Sequence, residues 1–416
     1  WFWARASGSA LPAMMPVRAG PRLARAFVHV APAPASARSA TVALLRCAGR
    51  GHPRAGCGAG AAPILEGETT FRHFSAGRQF STAEQPVASA RLGEVQHGWT
   101  CERVEHLEEL KCSGVLWRHN QTGAELLSVE QPADENKTFG VVFRTPPEDS
   151  TGVAHVIEHS VLCGSRKYPV KEPFTELLKG SMNTFLNAMT FPDRTCYPVA
   201  SCHLQDFYNL VDVYLDAVFH PRMAEDARIL AQEGWHYEVE ESGKALKYKG
   251  VVFNEMKGVY SNPDSVQGRH LMMNLLPDTP YSVDSGGSPQ EIPNLTFDGM
   301  KGFFERYYHP SNARFWFYGD DPADRRLQLL DEYLRDFQRH AVDSEIPKQP
   351  LWREPRKVEH VFAVGKDEDL SKKHMACVSW VLAEDHLDPE AQLALGILDY
   401  CLMGSPSAVL RKALID

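Results

Sequence analysis

The segment K-T-F-G-V-V-F-R-T-P-P-E-D-S-T-G-V-A-H-V-I-E-H-S-V-L-C-G, residues 137–164, passes from a strand pattern to a helical one. Its first eight residues form a β-rich run that Pro146 and Pro147 bring to an end. A helix is predicted from about Thr151, with Ser150 or Thr151 as N-cap. Val153, Val156, Ile157, Val161 and Leu162 form its apolar side, and Gly164 stops it. The helix also carries His155, Glu158 and His159.

Upstream, the runs 115–117 and 126–129 flank Asn120-Gln121-Thr122-Gly123, which predicts a hairpin. Downstream, Leu204, Phe207, Tyr208, Val211, Tyr214, Leu215 and Val218 recur at spacings of three and four, so 204–218 is expected to be an amphipathic core helix. Asp206, Asp212 and Asp216 are expected on its other face, and Pro221 ends it. Residues 315–318 read as a strand. Asp321-Pro322 opens another helix, with Leu327, Leu330, Leu334 and Phe337 inward. Strands and helices mix throughout, which indicates an α+β class. The polar stretch 341–357, with Pro347, Pro350 and Pro355, is expected to be a linker. A second unit, 358–416, follows with strands at 358–364 and 375–382 and a helix capped by Asp388-Pro389 and closed near Gly404. It resembles the opening of the first unit and reads as truncated.

The 416 residues exceed what one core usually organises, and 43% of them are hydrophobic and 23% charged, as in globular proteins that bury real cores. No apolar run approaches the roughly 18 residues of a membrane span. Nine scattered cysteines without a C-x-x-C pair argue against a disulfide framework or a cysteine-built zinc site. The formal charge of −9 is unevenly spread. Residues 1–65 hold eight arginines, no lysine and no acidic residue, so residues 1–80 read as an unpacked transit peptide, absent from the mature protein. Without those arginines, 36 basic face 53 acidic side chains, a charge of −17. That field disfavours nucleic acid and anionic membrane as partners and favours cationic ones. The chain begins with Trp, so Met14 or Met15 is the candidate initiator.

His155, Glu158 and His159 spell H-x-x-E-H. Residues four apart on a helix share a face, so the two imidazoles can reach one ion while Glu158 stands beside it. A zinc site needs a third protein ligand and an open position. The best candidate is Glu255, within V-V-F-N-E-M-K-G at 251–258, although spacing does not bring it to the histidines and a lone glutamate there reads more often as a solvated helix residue. His236, His270 and His309 have no metal-spaced partner and read as structural or surface histidines.

The stretch 155–201, H-V-I-E-H-S-V-L-C-G-S-R-K-Y-P through T-C-Y-P-V-A-S, resembles the M16 metallopeptidases, within them the presequence-degrading branch. Gln232-Glu233-Gly234-Trp235, the 254–258 element, Tyr281-Ser282-Val283 with Ser285-Gly286-Gly287, and the run 309–314 continue the match in the same order, over about 95–416. The resemblance implies that His155, His159 and Glu255 are Zn²⁺ ligands and Glu158 the general base, and that Asn187-Ala188 belongs to an edge strand that pairs with peptide backbone. It implies a sheet packed against helices, in the first half of a two-half clamshell whose missing C-terminal half completes a peptide chamber. An Arg and a Tyr that this second half contributes have no counterpart here. The expected function is zinc-dependent degradation of short, basic, unstructured peptides, cleaved organellar presequences among them, in the mitochondrial matrix or the plastid stroma. A non-catalytic M16-like subunit and a processing peptidase acting on whole precursors are the alternatives.

Overall fold

The computed structural model describes residues 22–30, 88–171, 173–239, 245–384 and 386–415. Its strands are β1 (Arg22–Val30), β2 (Val95–Gln96), β3 (Trp99–Leu107), β4 (Cys112–His119), β5 (Glu125–Glu130), β6 (Lys137–Arg144), β7 (Asn183–Leu186), β8 (Met189–Thr190), β9 (Arg194–Ser201), β10 (His236–Glu238), β11 (Lys247–Lys249), β12 (Ala313–Gly319), β13 (Arg356–Val364) and β14 (Met375–Ser379). The helices are α1 (Val153–Val161), α2 (Pro173–Gly180), α3 (Leu204–Phe219), α4 (Ala227–Glu233), α5 (Val251–Val259), α6 (Pro263–Leu275), α7 (Phe297–Tyr307), α8 (Ala323–Leu334), α9 (Pro389–Met403) and α10 (Val409–Ile415). The class is α+β, as expected.

One large sheet organises the first unit, in the order β2-β3-β4-β5-β12-β6-β9-β7, with β8 also paired to β9. The 120–123 turn closes the expected hairpin of β4 and β5. Strand β12 enters late in the chain and wedges between β5 and β6, parallel to the first and antiparallel to the second. On β6, buried Phe139, Val141 and Phe143 alternate with half-buried residues, the period-two pattern of a sheet with one covered face. Trp99, Trp117, Phe315 and Phe317 extend that face, and α1, α3 and α8 bring Val156, Ile157, Phe207, Tyr214, Leu327 and Leu330 to the same core.

Helix α3 forms as the stripe predicts, but Leu204 is exposed and Asp216 is fully buried, not on an outer face. The Asp216 carboxylate accepts the Lys167 N–H at 2.7 Å and faces Arg166, while Asp212 binds Lys167 and Tyr333. The segment 165–168 covers this face, and its donors make burial tolerable. Asp321 caps nothing. It forms a buried ion pair with Arg326 at 2.6 Å, joined by Tyr208, and Pro322 stands at the N-cap of α8. That helix stops at Leu334, before Phe337.

The 341–357 stretch has no helix or strand before Arg356, and it is pinned to the first unit by Ser344 on Asn312 at 2.8 Å and by Gln349 on Asp278. Beyond it, β13 and β14 flank β1. Strand β1 runs antiparallel to β13 and parallel to β14, so the expected lack of packed structure before residue 80 does not hold for Arg22–Val30. Phe27, Val28 and Val30 favour a strand, and the segment satisfies backbone groups that β13 and β14 would otherwise leave unpaired. The rest of residues 1–80 lies outside the described residues. Helix α9 is capped by Asp388, which accepts the Ala391 N–H at 2.7 Å, and it closes at Gly404. Among the described residues no helix is long and apolar enough to cross a membrane.

Candidate metal centre

Helix α1 packs against α4, α7, β8 and β9, which fixes its two histidines in space. Its N-cap is neither Ser150 nor Thr151 but Gly152, at φ 71°. The two hydroxyl residues are engaged elsewhere. Ser150 Oγ accepts the Asp284 N–H at 3.0 Å, and Thr151 donates to Asp149 at 2.6 Å. A Cβ at residue 152 would stand 2.8 Å from the Gly286 carbonyl oxygen, so glycine both permits the left-handed turn and lets the 286–287 loop press against the helix. That loop delivers the Gly286 carbonyl to His155 Nδ1, at 3.0 Å. Asp284 anchors it, binding the Gly286 N–H at 3.0 Å, the Tyr260 hydroxyl at 2.7 Å and the Arg269 guanidinium.

Glu255 comes from α5. Val252, Phe253 and Met256 bury one side of that helix, which leaves Glu255 partly exposed on the other. At the start of α5, Gly250 has φ 155°, and a side chain there would collide with the Gly234 carbonyl that follows α4. This close approach sets α5 against α4, which itself packs on α1. Glu255 Oε2 lies 3.6 Å from His155 Nε2 and 3.8 Å from His159 Nε2, and one donor atom from each residue lies within 4.8 Å of the others. Among the described residues, they form the one group of three or more His, Cys, Asp or Glu side chains close enough to share an ion.

Two imidazole nitrogens and a carboxylate oxygen are a donor set that zinc favours, and bonds of about 2 Å at tetrahedral angles put donor atoms about 3.4 Å apart. The two separations from Glu255 need only a slight drawing-in, and the histidine donors lie within 4.8 Å of each other, so the residues fit the ion once the side chains close on it. Each Nδ1 already meets an acceptor, Gly286 O for His155 and Glu233 Oε2 at 3.3 Å for His159, and both Nε2 atoms turn toward Glu255. Burial alone would push the His159 imidazole down, but the bond to Glu233 and the charges of Glu158, Glu233 and Glu255 outweigh it and hold it above its ordinary value. Burial would likewise raise Glu233, yet the bonds from His159 and Gln232 keep its carboxyl below the usual range.

Glu158 stands next to this group without joining it. It is 8% exposed, and its Oε2 accepts the Thr190 hydroxyl at 2.8 Å. Thr190 lies on β8, and Asn187-Ala188 forms the break between β7 and β8 at the edge of the large sheet. The Asn187 N–H donates to Pro198 O at 3.3 Å and its carbonyl accepts the Tyr214 hydroxyl at 3.2 Å. Burial, with the charge of Glu158, pushes the Tyr214 phenol well up, so it stays a donor. The other histidines behave as structural groups. His236 binds Ala231 O, His270 stacks on His360 at 3.8 Å, and His309 caps the Ser311 N–H at 3.1 Å.

Glu233, Thr190 and the Asp284–Gly286 loop received no role from the sequence. Gln232–Trp235 and Ser285–Gly287 were visible as motifs, but nothing in their spacing pointed at the histidines.

Comparison with known proteins gives the family of the chain. The profile of the insulinase peptidase family M16 matches residues 138–267, and that of the M16 inactive domain matches 294–416. Presequence protease 1, chloroplastic/mitochondrial, of Arabidopsis thaliana is 58% identical over 314 residues, which cover 75% of this chain and 29% of that protein. Protein HypA of Clostridium perfringens is 47% identical over 77% of this chain and 33% of its own length. The mitochondrial presequence protease of Mus musculus is 42% identical over 78% and 32%. The chain thus spans about a third of the length of the curated relatives it matches. With two M16 profiles matched in order and relatives of this identity over three quarters of its residues, the chain belongs to the M16 peptidase family.

Proposed function

We propose that this chain is the metal-binding part of a zinc endopeptidase that degrades short unstructured peptides, cleaved targeting presequences among them. The observation that carries the reading is the convergence of His155, His159 and Glu255 on one point, with Glu158 beside it and outside the donor set. Zinc at such a site lowers the pKa of its water toward 7 and polarises a carbonyl. Glu158 acts as general base and then general acid. Thr190 holds Oε2, which leaves Oε1 to take the proton from the attacking water and return it to the leaving amine.

The sheet edge at β7 and β8 aligns the substrate. It lies one hydrogen bond from Glu158 through Thr190, and a peptide added there as a further strand would run past the base. Asn187 already spends its N–H on Pro198 and engages its carbonyl with Tyr214, so the pairing falls chiefly to Ala188. Backbone pairing reads little sequence, which suits degradation. The excess of acidic side chains favours basic peptides. The names of the relatives, mitochondrial or chloroplastic/mitochondrial, together with eight arginines before the first acidic residue, support an organellar address, which we assign to the mitochondrial matrix with the plastid stroma as the alternative. The sequence that the relatives have beyond this span would complete the peptide chamber.

A non-catalytic M16 subunit would have no need to keep all four residues in this arrangement. The test uses the full-length protein, with metal analysis alongside digestion of a free presequence peptide and of a folded precursor. The reading requires bound zinc and cleavage of the free peptide. Zinc-free protein, or cleavage confined to the precursor, contradicts it.

A further inference from the structure

We infer that Glu233 is a positioning residue that fixes the tautomer and ring orientation of His159, so that its Nε2 lone pair faces the metal position. The inference rests on reading His155, His159 and Glu255 as the metal ligands.

Glu233 is the last residue of α4 and is 7% exposed. Both facts count against a carboxylate. The C-terminal end of a helix carries partial negative charge, and burial strips the group of water. Helix α4 by itself does not favour a buried carboxylate at this end, so its place there needs another reason. Its two oxygens divide their partners. Oε1 accepts Gln232 Nε2 at 2.8 Å and lies 3.4 Å from Cys163 Sγ, while Oε2 lies 3.3 Å from His159 Nδ1. Gln232 and Cys163 thereby hold the carboxylate still from one side, and its other oxygen meets the imidazole.

A carboxylate accepts and does not donate, so a neutral His159 in this contact carries its proton on Nδ1 and presents a bare Nε2 to the side where Glu255 stands. The charge behind the ring also makes that nitrogen a better donor to a cation. His155 receives the same orientation from the Gly286 carbonyl, a backbone group. Of the two supports, only Glu233 can be removed by substitution.

The experiment measures zinc affinity of the full-length protein by chelator competition, for wild type, Glu233→Ala and Glu233→Gln. Loss of such a carboxylate typically costs about 10- to 100-fold in metal affinity. Glu233→Ala should lose that much, while Glu233→Gln, whose amide oxygen still accepts the Nδ1 proton, should lose less. KM for peptide should stay unchanged at saturating zinc. A residue that merely supports α4 would lower the thermal midpoint of the metal-free protein and leave zinc affinity alone. Folded Glu233→Ala with wild-type zinc affinity overturns the inference. Should that variant not fold, ¹⁵N spectra of histidine-labelled, metal-free wild type at alkaline pH decide, since the proton of His159 must then reside on Nδ1 and a proton on Nε2 overturns the inference. Wild type that binds no zinc would instead remove the metal reading beneath it.

Discussion

Helices α1 and α9 open their units in the same way. Each follows a strand and has a Gly-Ser pair after it: Gly164-Ser165 lies just past the Leu162 C-cap of α1, and Gly404-Ser405 begins at the C-cap of α9. With those pairs superposed, His155, Glu158 and His159 fall opposite Leu395, Leu398 and Asp399. The surroundings differ as much as the residues. Val153, Val156, Ile157 and Val161 are buried against a sheet and two further helices, and Gly152 locks the N-terminus to the 286–287 loop. In α9 no residue is buried among the described ones, and its main neighbour is α10. Among the described residues, α1 has the rigid support that a metal site demands. Ligand atoms must hold position to a fraction of an ångström, and a helix clamped on several sides can provide that.

The largest expected effect breaks this contrast at its centre. His155→Ala in the full-length protein should abolish zinc binding and hydrolysis together, whereas Leu395→Ala on α9 should leave zinc affinity at the wild-type value, both read by metal analysis. Next comes Glu158→Gln, which keeps shape but cannot accept the proton. Peptide turnover should fall roughly 10²- to 10⁴-fold with KM little changed.

The support beneath the first unit is tested by Asp321→Ala, which strands the fully buried Arg326 guanidinium between Ser128, Val129 and Gly319. Breaking such a pair costs about 3–5 kcal/mol, so the denaturant midpoint of the first unit should drop sharply, with no comparable change for Leu395→Ala. The smallest effect concerns acid. Burial and the neighbouring His340 lower His309 from 6.5 to about 4. The folded state therefore resists a proton that the unfolded chain accepts. This contribution to stability is present above pH 6.5 and is lost as pH falls from 6.5 through about 4. His309→Asn keeps an acceptor for the Ser311 N–H and should flatten the acid limb of the stability profile over that window.

Local pattern carried much of this structure. The strand at Lys137–Arg144 and the helix with its H-x-x-E-H spelling were legible because each depends on neighbours a few residues away, although the helix ends at Val161 with Leu162 as its C-cap, before the expected stop at Gly164. What escaped depends on contacts across the chain. Ser150 was a credible cap until Asp284 claimed its hydroxyl, and Asp216 looked solvent-facing until the 165–168 segment covered it. Strand β12 enters the sheet more than 160 residues after the strands it separates, which no local period announces. Glu255 lies 100 residues after His155 and was only a candidate on spacing, because its place depends on the close contact of Gly250 with Gly234. Glu233 had no signal at all beyond its presence in a recognisable run.

The central claim is that His155, His159 and Glu255 hold one zinc while Glu158 stands free of it. Zinc content per chain, measured on full-length Glu255→Gln and Glu158→Gln purified side by side, tests it most directly. The account predicts that Glu255→Gln loses the metal and Glu158→Gln retains one zinc per chain. Full zinc in Glu255→Gln, or its loss from Glu158→Gln, would contradict the assignment.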